Sequence, residues 1–384
     1  MTTFAPELAA PLWLICTALA IVGSGYLAYA ATLVRKLAHR VSPALESQQA
    51  VTILKPLCGA EPGLETNLAS FCAQVYPGLV QIVFGIGEAS DPAAAVVARL
   101  IRRFPEVDIE CAVGSYVHGA NRKISNLINM APRARHGLIV LSDSDIKVDH
   151  TYLWQVVAAL DQPGVGLVTC LYRGTSDAGL LSRLAAMAIN HHFLPNVLVG
   201  LGLGLARPCF GSTIALKAET LDRIGGFGPF ANQLADDYAI GKAVRDLGLR
   251  VAIPPLLVDH TCYEQTWSEL VRREARWART VRLIDPAGHA GSIITHPLPF
   301  ALAGTAFGGL SATGLGIIAL ALVCRVLAPV QIGRTSGRDD VSLWLTPLRD
   351  LLSFAIFLAS FLPGRITWRD QRYTVRSNGT LTPT

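Results

Sequence analysis

Charge is what this sequence has least of. Asp, Glu, Lys and Arg make up 16% of its 384 residues, where about 25% is usual for a soluble domain. Apolar residues make up 51% and the mean hydropathy is +0.40. That excludes an ordinary soluble chain and points to membrane segments joined to one catalytic-sized domain. Paired cysteines are also missing. The eight cysteines are scattered and none forms a CxxC pair, which argues against zinc-ribbon and dithiol chemistry and fits reduced thiols in a cytoplasm. The net charge is +5, but the basic residues form no patch interleaved with aromatics. Nucleic acid is therefore not an expected partner, and the excess reads as a bias toward anionic lipid.

Long apolar runs are what the sequence does contain. Residues 11–34, "PLWLICTALAIVGSGYLAYAATLV", carry no charge and are long enough to cross a hydrocarbon core of roughly 30 Å. Glu7 precedes the run, and Arg35, Lys36 and Arg40 come after it. A signal peptide would show a basic residue before and a small-residue cleavage site after, so an uncleaved anchor is expected. The trailing basic residues place the next part of the chain in the cytoplasm. Two more spans are expected near residues 299–322 and 343–362, the latter with Arg349 and Asp350 in an interfacial first turn. The tail holds Arg365, Arg369, Arg372 and Arg376 against Asp370 alone, so it too reads as cytoplasmic, with its last ten residues weakly ordered. Three spans close the topology and put the middle of the chain on the cytoplasmic face of a bacterial inner membrane. Residues 180–210 are apolar as well, but they are broken by Pro and Gly. A crossing there would separate the acidic motif at 143–145 from the one at 236–237, so an interfacial helix or a buried core segment is expected.

The chain divides into four regions: an anchor over 1–36, a catalytic domain over 50–285, C-terminal membrane helices over 297–364, and a basic tail over 365–384. Within 50–285, strand-like and helix-like runs alternate. "AVTILKP", "VQIVFGIG", "VDIECAVG" and "GLIVLSD" read as strands. "DPAAAVVARLIRRF" reads as a helix with Asp91 as N-cap and Pro92 at its first position. Alternation of this kind predicts an α/β fold with a mostly parallel sheet covered on both faces. Ligands in such sheets lie beyond the carboxyl ends of the strands.

Asp143 and Asp145 of "LSDSDI" stand at such an end. An Asp-Ser-Asp turn needs no function, yet two carboxylates at i and i+2 also suit a hard divalent cation that completes its shell with substrate phosphates and water. Asp236 and Asp237 of "LADDYAIGKAV" cap a helix on the plain reading. On the functional one, Asp237 is a general base that takes a proton from an attacking hydroxyl, with Asp236 beside it. "RREARW" supplies Arg273, Arg276 and Trp277: a basic helix on anionic lipid, or arginines for phosphate oxygens with an aromatic at the sugar or acceptor. Lys55 ends the first strand, where a nucleotide base would lie. Arg122 and Lys123 either face a diphosphate or start an exposed helix. His191 and His192 lack a third metal ligand at suitable spacing, so an acceptor-side or structural role is expected.

The order KP, DSD, DDY, RxxRW between an anchor and C-terminal apolar segments resembles the ceramide glucosyltransferase family of inverting GT-A glycosyltransferases. The resemblance runs through "ILKPLCGAEPGLETNLASF", "NRKISNLINM", "GSTIALKAETLDRIGGF", "ADDYAIGKAV", "RWARTVR" and "ITWRDQRY". Within that family, "HGANRKISNLINM", "VGLVTCLYRG" and "LGLARPCFGSTIAL" are similar to the hopanoid-biosynthesis glycosyltransferases of bacteria. The resemblance implies a Rossmann-like GT-A domain on the cytoplasmic face. It implies a divalent metal (Mg²⁺ or Mn²⁺) on Asp143 and Asp145, and a UDP-sugar (UDP-GlcNAc or UDP-Glc) as donor. The acceptor would be a lipid hydroxyl, on a hopanoid polyol such as bacteriohopanetetrol or on ceramide. By position, Asp143 matches the second family aspartate, Asp237 the third and presumed base, and Arg273, Arg276 and Trp277 the RxxRW motif. The first family aspartate is replaced: Glu88 stands there, with Asp91 three residues on, and Glu88 takes the nucleotide-binding role. A processive polysaccharide synthase would show QxxRW and more spans, whereas Arg273 stands at the Gln position. A non-catalytic lipid-binding protein would lack the DxD pair or the base.

Overall fold

The computed structural model describes the chain apart from residues 1–5, 45–47, 177, 337–341, 363–365, 369–370, 376–378 and 384. Arg365, Arg369, Asp370 and Arg376 of the basic tail lie outside the described residues. In chain order the elements are α1 (Pro6–Ala38), β1 (Val51–Pro56), α2 (Leu64–Cys72), β2 (Val80–Ile86), α3 (Pro92–Arg103), β3 (Asp108–Val113), α4 (Arg122–Met130) and β4 (Leu138–Leu141). Next come β5 (Ile146–Lys147), α5 (Tyr152–Leu160), β6 (Val165–Val168), β7 (Leu171–Thr175), α6 (Leu180–Ala188), α7 (Leu194–Gly202), β8 (Ile214–Lys217), α8 (Ala218–Arg223) and α9 (Asp236–Asp246). The last are β9 (Arg250–Ala252), β10 (Leu257–Thr261), α10 (Trp267–Ile284), α11 (Pro286–Gly291), α12 (Pro297–Gly308), α13 (Ala312–Ser336), α14 (Thr346–Ser360), β11 (Ile366–Trp368), β12 (Gln371–Val375) and β13 (Leu381–Pro383). They form two compact units. A helical unit takes Met1–Arg40, Ser176–Arg207 and Glu264–Gly364, and a sheet unit takes Val41–Thr175, Pro208–Tyr263 and Arg365–Thr384.

The sheet unit is built on seven strands in the order β3-β2-β1-β4-β8-β6-β9. The strands β3, β2, β1 and β4 are parallel to their neighbours. β8 runs antiparallel to both β4 and β6. The sequence reading of a mostly parallel α/β sheet therefore holds, with β8 as the reversed strand. Side chains alternate between the two faces, as the pleat requires. Val51, Ile53, Ile82, Phe84 and Val140 bury against α2, α3 and α5. Leu54, Val83, Ile139, Leu141, Ile214 and Leu216 bury against α4 and α9. Strands covered on both faces have no polar side to show, so they read as continuous apolar runs. Asp91 caps α3 as expected: its Oδ1 accepts the Ala93 N–H at 2.8 Å and also the Gly59 N–H at 2.9 Å. A smaller sheet, β5-β10-β7, lies beside the acidic turn that follows β4.

The helical unit is a different solution to the same hydrophobic pressure. α1 spans 33 residues, about 50 Å at 1.5 Å per residue. Small residues let neighbouring helices approach it closely: Ala20 of α1 packs with Ala301 of α12 and Ala321 of α13. Among the described residues four helical stretches, Leu8–Ala38, Leu180–Gly202, Ala312–Arg334 and Leu343–Ser360, are long and apolar enough to cross a membrane, as in a membrane protein.

The second expected span is placed differently. Residues 299–322 are not one helix, because α12 ends at Gly308 and α13 begins at Ala312. Gly309 adopts φ +78° and ψ 162°, a conformation that is essentially glycine-only, and the Ser311 hydroxyl accepts the Gly314 N–H at 3.1 Å to open the next helix. The long apolar helix is α13, while α12 has only 12 residues, about 18 Å.

Arg349 and Asp350, expected in an interfacial first turn, are both 0% exposed. Each is neutralised internally: Arg349 forms a two-pronged pair with Glu274 at 2.7 Å on both oxygens, and Asp350 pairs with Arg325 at 2.6 Å. Residues 180–202 form continuous helix through a π-turn at Ile189–Phe193, where Arg325 donates to the His191 carbonyl at 2.9 Å. His191 and His192 are buried there, and His192 Nε2 lies 3.0 Å from Asp350. The strands before and after this segment, β7 and β8, both belong to the sheet unit.

Candidate active site

The site grows from the carboxyl end of β4. The strand runs "LIVL" into Ser142, and the chain then turns through Asp143-Ser144-Asp145 before β5. Lys55, at the end of neighbouring β1, lies under this turn. Its side chain is 0% exposed. Its Nζ donates to the Asp143 carbonyl at 2.5 Å and lies 3.3 Å from Ser142 Oγ, and it stacks 3.8 Å from the centre of the Phe71 ring. Burial pushes its ammonium down to about 7, against the pull of Asp143 and Asp145. Lys55 thus braces the turn from inside.

Four elements converge on Asp143. α4 brings Lys123, whose Nζ lies 2.6 Å from Asp143 Oδ1 and 3.2 Å from Asp236 Oδ2. α9 starts at Asp236, so its first turn presents both acidic side chains. Asp237 is held by backbone alone: its Oδ2 accepts the Gly211 N–H at 3.0 Å and its Oδ1 the Tyr238 N–H at 2.7 Å. The same Gly211 accepts the Asp143 N–H on its carbonyl at 3.1 Å. The two peptide groups flanking one residue therefore tie the turn after β4 to the start of α9. A Cβ at Gly211 would collide with the Asp143 carboxylate and the Lys123 ammonium.

Charges in this cluster set one another. Burial pushes the Asp237 carboxyl up to about 6, and repulsion from Asp236 adds to it, while Lys123 and the Tyr238 N–H pull down. Burial also raises Asp143 above the ordinary carboxylate range despite Lys123 beside it. For Lys123, burial works against the charge, but Asp143, Asp236 and Asp237 outweigh it and hold the ammonium above its ordinary value.

Asp145 has a different partner. Its Oδ2 lies 3.3 Å from His260 Nε2 on β10, and its carbonyl accepts the Thr261 N–H at 2.8 Å. The Asp143 and Asp145 side chains are 35% and 23% exposed. Two partly exposed carboxylates on one turn suit a hard divalent cation that fills its remaining positions with phosphate oxygens and water. Among the described residues no three His, Cys, Asp or Glu side chains gather as an all-protein metal cage. Glu88 is exposed just past the end of β2, its carboxylate accepting from Ser90 Oγ at 3.3 Å. Asp91 is committed to the α3 cap.

Arg273, Arg276 and Trp277 lie on α10, in the helical unit. The helix opens on a capping box, Thr266 with Glu269. Arg273 pairs with Glu264 and lies 4.7 Å from the centre of the Trp277 ring. The structure thus gathers Asp143, Asp236, Asp237 and Lys55 in one neighbourhood, and it holds the RxxRW residues in the other unit. Sequence reasoning missed Asn121 and Gly211 and left Lys123 undecided. Asn121 caps α4, its Oδ1 accepting the Ile124 N–H at 3.1 Å, while its Nδ2 donates to Asp236 Oδ1 at 3.1 Å. The signal for both is faint: an Asn one turn ahead of an apolar helix, and a Gly in "CFGST" before a strand.

A mixed sheet with one reversed strand and an acidic turn at the end of its middle strand defines the class. The fold is that of a GT-A glycosyltransferase: the mannosyltransferase PcManGT from Pyrobaculum calidifontis, solved in complex with GDP-Man and Mn²⁺, aligns with a TM-score of 0.55 at 19% identity, covering 91% of this chain and 100% of that one. Residues 15–381 match the family model of glycosyl transferase family 21, and the chain belongs to that family. It is 25% identical to ceramide glucosyltransferase 3 of Caenorhabditis elegans over 366 residues, 91% of this chain and 77% of the relative. It is 23% identical to ceramide glucosyltransferase 1 of the same organism, over 90% of this chain and 76% of the relative. The protein is a glycosyltransferase.

Proposed function

We propose that the protein moves one hexose or N-acetylhexosamine from a UDP-sugar to a lipid hydroxyl, with inversion, at the cytoplasmic face of a bacterial inner membrane. The observation that carries the reading is the Asp143–Lys123–Asp236–Asp237 cluster beyond β4. Asp237 is the base. Its carboxylate takes the proton of the acceptor hydroxyl as the oxygen attacks the anomeric carbon, while the bond to the diphosphate breaks on the opposite side. A carboxyl near 6 is ionised at neutral pH yet basic enough to share that proton in the transition state. Asp236 pairs with Lys123 and lies beside Asp237, whose carboxyl it helps to push up. Asp143 and Asp145 would hold a divalent ion, Mg²⁺ or Mn²⁺, which when bound supplies positive charge to the leaving diphosphate. Glu88 is assigned to the nucleoside hydroxyls by its exposure past β2. For Arg273, Arg276 and Trp277 the support is the RxxRW motif, which fits phosphate oxygens and the sugar or acceptor.

The acceptor we propose is a hopanoid polyol such as bacteriohopanetetrol, on the strength of "HGANRKISNLINM", "VGLVTCLYRG" and "LGLARPCFGSTIAL". Ceramide is the second reading, favoured by the names of relatives that cover most of the chain. The test offers UDP-Glc and UDP-GlcNAc with either lipid to the detergent-purified protein and reads the products by mass spectrometry, with and without EDTA. A gain of one sugar on the hopanoid, abolished by EDTA and restored by Mn²⁺ or Mg²⁺, is the expected result. Product on ceramide alone replaces the acceptor and keeps the site. No lipid product with any pairing overturns the reading.

A further inference from the structure

The tail that follows α14 does not trail away from the sheet unit. β11, β12 and β13 form an antiparallel sheet of their own, and the residues leading into β13 lie along the loop just before α9. The Leu234 N–H donates to the Gly379 carbonyl at 3.0 Å, and the Leu381 N–H donates to the Asn232 carbonyl at 2.8 Å. Between these two bonds, Gln233 and Thr380 face each other as an antiparallel bridge. Leu381 is 2% exposed, so the contact has an apolar anchor as well as hydrogen bonds. Gly379 takes φ +81° to bring its carbonyl around.

On its other side the same loop is tied to the site. The Asn121 N–H donates to the Ala231 carbonyl at 2.8 Å, and Asn121 Nδ2 to the Gln233 carbonyl at 2.9 Å. The Ala120 N–H donates to Asn232 Oδ1 at 2.9 Å. Asn121 Nδ2 is also the donor to Asp236 Oδ1, and Asn121 Oδ1 caps the helix that carries Lys123. Residues 231–234 are therefore a short backbone bridge with the tail on one flank and the carboxylate cluster on the other. Ala231 and Leu234 are themselves buried, and the hydrogen bonds on both flanks add to what holds the loop closed.

We propose that residues 379–381 are a strap that positions the start of α9, so that the C-terminal segment sets the placement of Asp236 and Asp237. The strap touches no substrate and acts through Asn232–Leu234 and Asn121. This inference rests on the reading of Asp237 as the base.

The test compares the full chain with one stopped after Asn378, both in detergent with UDP-glucose and a lipid acceptor. Removing the strap is expected to lower kcat by about 10²-fold, the scale of a small misplacement of reacting groups, with KM for UDP-glucose unchanged. The acid limb of the pH–rate profile should move as well, because the environment of Asp237 changes. Hydrogen exchange should rise in peptides covering 231–236 and stay unchanged in β1 and β4. A second variant guards against general misfolding. Residues opposed in an antiparallel pair have Cα atoms about 4.5–5.5 Å apart, within disulfide reach, so Gln233→Cys with Thr380→Cys closes the strap covalently. Full turnover in the oxidised form supports the strap, and loss of turnover on oxidation, recovered by dithiothreitol, overturns it in favour of a tail that must lift. Unchanged kcat and unchanged exchange in the truncated chain overturn it too. If Asp237→Asn keeps wild-type turnover, the base assignment falls. If that variant is inactive and truncation has no effect, only the strap falls.

Discussion

Asp237, the base we propose, owes its environment to where the backbone puts it. Two peptide N–H groups fix its oxygens, while burial and Asp236 push its carboxyl up to about 6. Turnover should therefore drop about tenfold per unit as pH falls below about 6, where the carboxyl takes up its proton, and level off above it. Asp237→Asn is expected to lower kcat by about 10²- to 10⁴-fold, the usual worth of general base catalysis, with donor binding retained. Single-turnover assays against isothermal titration with UDP-sugar separate the two. Gly211→Ala tests the same geometry from its neighbour. The added methyl displaces Asp143 and Lys123, so activity should fall by at least the loss of one site contact while the folded sheet unit keeps its circular dichroism. Lys55 gives a test on stability. Its folded value of about 7 lies below the unfolded value near 10.4, so between these the unfolded chain binds the extra proton and stability rises with pH. Lys55→Met removes that dependence. The unfolding temperature at pH 7 should stay at or above wild type, while turnover falls because the Asp143 carbonyl loses its brace.

At the level of elements, the break between α12 and α13 is the clearest case of local chemistry deciding a boundary. Hydropathy runs through residues 299–322 without interruption, but Gly308-Gly309 followed by Ser311 contains a stop and a start. Gly309→Ala forces an L-residue into a glycine-only conformation, at an expected cost of about 1–3 kcal/mol, read as a lower unfolding temperature in detergent. Elsewhere the element boundaries follow their signals closely. Asp91 with Pro92 opens α3, Thr266 with Glu269 opens α10, and the four apolar runs read as strands are β1 to β4. β8 was not legible as a reversed strand, because strand direction is a property of pairing and leaves no mark on a four-residue apolar run.

For the molecule as a whole, buried ion pairs stitch the helical unit together. Arg349 holds Glu274 across 75 residues of sequence, and Arg325 holds Asp350. Breaking such a pair from one side leaves an uncompensated buried charge. Arg349→Met should destabilise the helical unit by about 3–5 kcal/mol, and adding Glu274→Leu should recover much of it. Thermal unfolding of the three proteins in one detergent measures both. The partners of Arg349 and Asp350 were not legible in the sequence, because hydropathy scores a charge one residue at a time and has no access to what pairs with it.

The sequence by itself determined the class of each part. Apolar run length marked the long apolar helices, alternation marked the α/β domain, and the short acidic motifs marked the candidate site, because each of these is a local property of composition and spacing. Tertiary structure decided what stands beside what. It put Lys123 between Asp143 and Asp236, turned Lys55 inward, gave one glycine residue to two aspartates, and laid the tail along the loop before α9. Those contacts join residues far apart in the chain, and they exist only once the sheet has paired and the helices have closed over it.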